Sequence, residues 1–250
     1  MAHLRRLVSF GLGLVFALAA SAVVRGQQGE PPSTVSAVWL RGFAATGQEL
    51  FLAQGENTPV PLAVGGSSRG KPIELRGASA PLRLLRRAAN APASGDKSAG
   101  FVPVTEVRLP AGNPKRVLLV LASAGGGGAI RATAMADDEA SFPAHTVRVA
   151  NFAGAPVLMR LDRQVKPVAP GATEPMPYAV LADPKLRDVP SFPFALAAQD
   201  DVFFNGRIDA WPNSRTLVLV APPAAEGRPP GVQVLIDRPK PPAPPKVAAK

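Results

Sequence analysis

The chain contains no cysteine. That excludes disulfides, thiolate metal sites, cysteine nucleophiles and attachment through a lipidated N-terminal cysteine. Histidine is nearly as scarce: His3 and His145 are the only two, and His3 falls in the N-terminal leader. A zinc centre would have to draw almost every ligand from carboxylates, which is not how zinc is normally held. As a general base, His145 would need a nucleophile and an orienting carboxylate; Ser141 and Asp138 are near in sequence, but that does not create triad geometry. One tyrosine and two tryptophans are present, and the basic stretch 65–100 has no aromatic residue. Nucleic acid would therefore find no base-stacking platform there, and a sugar no flat aromatic surface. The glycine run at 125–128 is followed by no Lys-Ser/Thr and opens a strand, so it does not match a phosphate-binding loop. Beyond residue 26 no run is long and apolar enough to span a membrane.

What is present begins with a leader. Arg5 and Arg6 precede an uncharged stretch of 18 residues from Leu7 to Val24, and Ala20-Ser21-Ala22 supplies a small-residue cleavage site. This is the layout of a secretory signal peptide, assigned to residues 1–26, with cleavage after Ala22 or Gly26. The same length sits at the lower limit for a spanning helix, so an uncleaved anchor is the competing reading and the one membrane contact the sequence offers. The expected location is export, to a periplasm or outside the cell.

The remainder says nearly the same thing twice. Val38-Trp-Leu-Arg-Gly-Phe is echoed by Val147-Arg-Val-Ala-Asn-Phe, and Pro61-Leu-Ala-Val-Gly by Pro167-Val-Ala-Pro-Gly. Lys115-Arg-Val-Leu-Leu-Val is echoed by Ser214-Arg-Thr-Leu-Val-Leu-Val, and the strand from Ile130 by the one from Val232. The offsets are 109, 106, 99 and 102 residues, the length of a small β domain. Short apolar runs of five or six residues recur between Pro and Gly turns in each half. The expected strands are 35–40, 50–54, 60–64, 73–76, 82–86, 104–109, 117–122 and 130–135, then 146–151, 157–162, 165–168, 176–180, 194–198, 202–208, 216–221 and 232–237. Val117 to Leu121 and Leu217 to Val220 are apolar without interruption and read as strands buried on both faces. Val147 and Val149 point one way along their strand and Arg148 the other; Arg160 and Asp162 lie opposite Met159 and Leu161. The expected fold is all-β: two tandem Ig-like β-sandwich domains, 33–136 and 141–238, joined at the acidic Asp137-Asp138-Glu139 junction. A disordered basic Pro/Lys-rich tail at 239–250 follows. The layout of a Val147-type strand, a Gly/Pro turn, a strand ending in Leu-Asp and then Ala-Pro-Gly resembles exported bacterial Ig-like β-sandwich repeats of unknown function. The resemblance covers most of 35–239 and implies a fold without site residues.

The formal charge is +10, or +7 once the leader arginines Arg5, Arg6 and Arg25 are set aside. Residues 65–100 carry seven basic and two acidic side chains; residues 171–205 carry two basic and five acidic ones. Surface charge of either sign ordinarily serves solubility. The functional reading is an anion-binding surface made by Arg69, Lys71, Arg76, Arg83, Arg86 and Arg87, facing an anionic cell-envelope polymer. A protein partner, met through opposite-charge pairing of the two domains, is the other partner reading. The acidic junction reads as a solvated linker or a calcium site between sandwiches. A carboxylate-based hydrolase using Asp200, Asp201 and Asp209 is the enzymatic alternative. Together these features describe a non-catalytic structural or binding module of the cell envelope or surface, with no cofactor, no metal and no nucleic-acid partner.

Overall fold

The computed structural model describes residues 33–44, 48–55, 58–75, 81–88, 100–123, 129–171, 174–178, 189–199 and 201–238. The leader, the glycine run at 125–128 and the tail at 239–250 lie outside them. The described chain is all β. In its first half, an inner sheet runs β4 (Val64–Gly65), β1 (Ser33–Trp39), β8 (Arg116–Ser123), β9 (Ile130–Ala136), with β5 (Ile73–Leu75) also on β1. An outer sheet runs β3 (Val60–Leu62), β2 (Leu50–Gln54), β6 (Leu82–Arg87), β7 (Phe101–Val107). The second half retraces this order. Its inner sheet is β13 (Pro175–Pro177), β10 (Thr146–Asn151), β16 (Arg215–Pro223), β17 (Pro230–Asp237), and its outer sheet β12 (Gln164–Val168), β11 (Val157–Leu161), β14 (Ser191–Ala198), β15 (Asp201–Asp209). In both halves the first strand lies parallel to the penultimate one, β1 on β8 and β10 on β16, and β4 also runs parallel to β1; the remaining pairs are antiparallel.

Burial explains the stacking. Val35, Ala37, Val117 and Leu119 face Leu50, Leu52, Leu82 and Leu84 across the first sandwich. Val147, Val149, Val218 and Val220 face Met159, Leu161, Phe194 and Leu196 across the second. The residues between them on the inner strands point the other way and meet each other: Val38, Leu40, Leu118, Val120 and Met135 against Ala150, Leu217, Leu219, Ala221 and Leu235. The inner sheets therefore pack face to face, giving four layers with three apolar seams. This is why β8 and β16 are apolar at consecutive positions: each is buried on both faces. The central seam is assembled from matching positions. Arg116 opens β8 as Arg215 opens β16, so Leu118 corresponds to Leu217 and Val120 to Leu219. Through the hairpins, Met135 corresponds to Leu235. Equivalent patches meeting each other is the pattern of a two-fold interface, here within one chain.

Most strand positions agree with expectation, but the single strand expected at 60–64 divides into β3 of the outer sheet and β4 of the inner one, and that expected at 104–109 lies at Phe101–Val107. Two further differences have physical causes. The amides of Leu40 and Phe152 donate to the carbonyls of Leu121 and Val220, which places Val147 at the position of Val35. The sequence echo set Val147 on Val38, three residues away and on the opposite face. A strand buried on both sides has no polar face to fix its phase, so the echo slipped. The strand from Val157 ends at Leu161 and not Asp162, because Asp162 takes a φ of 53° in the two-residue turn Asp162-Arg163.

Leu217→Ala, at a fully buried position in the central seam, is expected to cost about 2–5 kcal/mol through lost burial and a residual cavity. Urea unfolding of wild type and variant measures it.

Candidate functional site

The densest polar cluster lies at the end of the central seam. Asp137 follows β9 and Asp237 closes β17, at matching positions beside Arg116 and Arg215. Arg215 reaches Asp237 at 2.7 Å and Asp137 at 3.6 Å; Arg116 reaches Asp237 at 3.1 Å and Asp137 at 3.5 Å. Each arginine thus touches the carboxylate of its own half and that of the other. Arg69 adds a two-pronged pair on Asp137, Nε to Oδ2 and Nη2 to Oδ1, both 2.9 Å. The side chains of Asp137 and Arg215 are each 3% exposed. Buried charges of this kind must be paired and fully hydrogen-bonded to be tolerated. Arg215 meets that demand by also donating to the carbonyls of Asp137, Asp138 and Phe142. Its guanidinium lies 4.8 Å from the centre of the Phe142 ring, and Arg148 stands 5.5 Å from that ring while donating to the carbonyl of Ala136.

Burial pushes the Asp237 carboxyl upward, but the Arg215 hydrogen bond and the charges of Arg69, Arg215 and Arg116 outweigh it, leaving the group below its ordinary value. Asp138 behaves alike. Burial raises it, and the hydroxyl and amide of Ser141 with the amide of Lys115 bring it down. Burial lowers Arg148, Asp137 opposes that, and neighbouring Arg215 adds to it. The acidic junction is therefore neither a solvated linker nor a cation site at Asp137: that carboxylate is buried and saturated by guanidinium groups. Among the described residues no cluster of three or more His, Asp or Glu is placed to hold a metal.

The expected anion-binding residues divide. Arg69 is committed to Asp137, with its side chain 12% exposed. Lys71 is exposed in the loop before β5. Arg76 lies outside the described residues. Arg83, Arg86 and Arg87 are exposed on β6. Arg83 and Arg87 stand on the outer face, Arg83 donating to the carbonyl of Gly55 and Arg87 lying over Phe51 and Phe101 at 5.5 and 5.8 Å. Arg86 pairs with core-facing Leu50 and so emerges at the rim of the other face. The buried outer-face group Phe51, Ala53 and Leu85 forms the floor beneath Arg87.

The other candidates separate in space. Asp201 and Asp209 bracket a nine-residue strand, about 26 Å apart at strand rise, too far for a glycosidase pair; Asp200 lies outside the described residues. His145 enters β10 at φ 59°, stacks edge-on to Tyr178, and its Nδ1 is buried with no hydrogen-bond partner among the described residues. Tyr178 gives its hydroxyl to the carbonyl of Ser214, and burial raises its phenol above the ordinary value. Trp211 is covered by Arg238 at 4.1 Å.

Sequence reading missed Arg116, Arg148, Arg215 and Asp237. A signal existed: the arginine opening each all-apolar strand is shared by the echo Lys115-Arg and Ser214-Arg, and an Asp closes each half. Neither protein-family models nor curated proteins match the chain.

Asp137→Asn should destabilise the protein by about 3–5 kcal/mol, because three arginines lose a buried counter-charge. Arg83→Ala should change stability by less than about 0.5 kcal/mol. The depressed Asp237 carboxyl stabilises the fold fully above its ordinary value of 3.8, and that stability is lost as pH falls below it toward the folded value. Urea midpoints measured for wild type and both variants from neutral pH to pH 3 test all three statements.

Proposed function

We propose that the protein is a non-catalytic, exported structural or binding module of the cell envelope, built from two Ig-like sandwiches that descend from one duplicated unit. The strand order repeated in both halves and the paired central seam support the duplication, and the leader supports export. We infer further that it contacts an anionic envelope polymer through β6. The observation that carries this reading is the disposition of Arg83, Arg86 and Arg87 on one outer strand, exposed and without a carboxylate partner among the described residues. Arg87, set on two phenylalanine rings, has its planar fork pre-positioned, which suits carboxylate, sulfate or phosphate groups. Lys71 supplies a further exposed positive charge in the same half. Arg69 is assigned a structural role instead.

The test is a salt titration of binding to an anionic polysaccharide. Affinity should fall steeply with salt, and Arg83/Arg86/Arg87→Ala should flatten the log–log slope by about two to three units while leaving the fold intact. No binding by wild type at low salt, or an unchanged slope in the variant, would refute the reading.

A further inference from the structure

A sheet edge presents unpaired N–H and C=O groups to any passing strand, and proteins blunt it with proline, charge, a bulge or brevity. Among the described residues every edge but one is treated in this way. Pro61, Pro103, Pro167 and Pro175 interrupt β3, β7, β12 and β13; β4 and β5 have only two and three residues; β15 carries a bulge and β9 Arg131. The exception is β17. From Gly231 to Ile236 it has no charge and no proline, and β16 is its one partner strand.

Register shows which of its groups face outward. The amide of Asp137 donates to the carbonyl of Arg116 on β8, and Asp237 holds the matching place beside Arg215 on β16. Gln233, Leu235 and Asp237 therefore bond to β16, and the N–H and C=O groups of Val232, Val234 and Ile236 point away from the sheet. The carbonyl of Val232 agrees, accepting from Arg41 Nη1 at 3.3 Å and keeping a second lone pair. On these same residues Val232 packs against the second core, while Val234 and Ile236 are 37% and 48% exposed.

The first half shows the same edge closed. Ala134 and Ala136 stand where β17 has Val234 and Ile236. Ala134 packs on the first core, β7 lies along β9, and Arg148 caps the carbonyl of Ala136. β15 does not lie along β17 to a like extent. Two alanines on a covered edge thus match two larger apolar residues on an open one.

We propose that β17 pairs antiparallel with β17 of a second copy, about a two-fold axis at Val234. In that register Val234 meets Val234 of the second copy and Val232 meets its Ile236. Both exposed side chains then gain apolar cross-strand neighbours, and the outward N–H and C=O groups bond to one another. A foreign strand would be selected by pockets or charges along the edge, and Gly231 to Ile236 offers neither. A copy of the strand matches it in length, apolarity and the spacing of outward groups.

The chain has no cysteine, so Val234→Cys supplies a single thiol. Opposed hydrogen-bonded residues of an antiparallel pair stand about 5.5 Å apart at Cα, within disulfide reach. Mild oxidation of the full chain should convert Val234→Cys to a covalent dimer and leave Thr133→Cys, exposed on β9, monomeric. Sedimentation equilibrium of the wild type should show a reversible dimer, as suits the small interface of one strand pair. Val234→Pro removes only an outward N–H, and Ile236→Lys places a charge on the edge. Each should raise the dimer dissociation constant about tenfold or more while circular dichroism shows the fold retained. A wild type that stays monomeric at its highest soluble concentration overturns the proposal. So does a dimer indifferent to both edge variants, which would rest on another face, or equal crosslinking of Thr133→Cys. Slow amide exchange at Val234 in a monomer would mean that another part of the same chain covers the edge, and equally overturns it.

Discussion

The ring of Arg116, Asp137, Arg215 and Asp237, with Asp137 and Arg215 buried at its centre, is the constraint on which the rest of the structure depends. Two apolar sheet faces can slide over each other at little cost, since any register buries similar area. A charge ring whose Asp137 and Arg215 are sealed at one end of the seam cannot, because any other register leaves a guanidinium or carboxylate buried alone. The ring is crossed: Arg116 and Arg215 each serve the carboxylates of both halves, so the two halves share one charge network. Arg69 and the carbonyls of 137, 138 and 142 complete the shell, and Asp138 clamps the turn that carries the chain from one sandwich to the next. Gln233 adds a second tie, accepting from the amide of Arg41 and donating to the carbonyl of Gly66. On net energy alone such a network contributes little; its contribution is to specify one arrangement of layers.

That arrangement divides the molecule's surfaces by role. The inner sheets are consumed by packing on both faces, which leaves them only their edges. The outer sheets each keep one face in water, and there the halves have diverged. The first carries Arg83 and Arg87 over an aromatic floor. The second carries Leu158, Val165 and Val202 around a shallow hollow of about 220 Å³. Chemistry that differs between the halves therefore lies away from the seam, while residues that match across the echo lie in it.

Much of the fold was legible because strands announce themselves by apolar runs bounded by Pro and Gly, and because a doubled text can be checked against itself. The doubly buried strands were readable from their unbroken hydrophobicity. What faced them was not, since sequence shows that Leu118 and Leu217 are buried but not that they meet. Arg148 shows the limit plainly: alternation set it opposite Val147 and Val149, correctly, yet the opposite face was a second interface and not solvent. The basic stretch was visible as composition, but Arg69 and Arg83 differ only in what the fold brings beside them.

The claim that the charged ring makes two sandwiches one unit is tested most directly by unfolding each half separately. The chain has two tryptophans, Trp39 in the first core and Trp211 in the second half. Urea unfolding followed by fluorescence in Trp211→Phe reports on the first sandwich, and in Trp39→Phe on the second. A single ring-held unit predicts superimposable transitions with a common slope, characteristic of one cooperative structure. Two well-separated midpoints, each with the shallow slope of a hundred-residue domain, would show that the seam and its charges do not couple the halves.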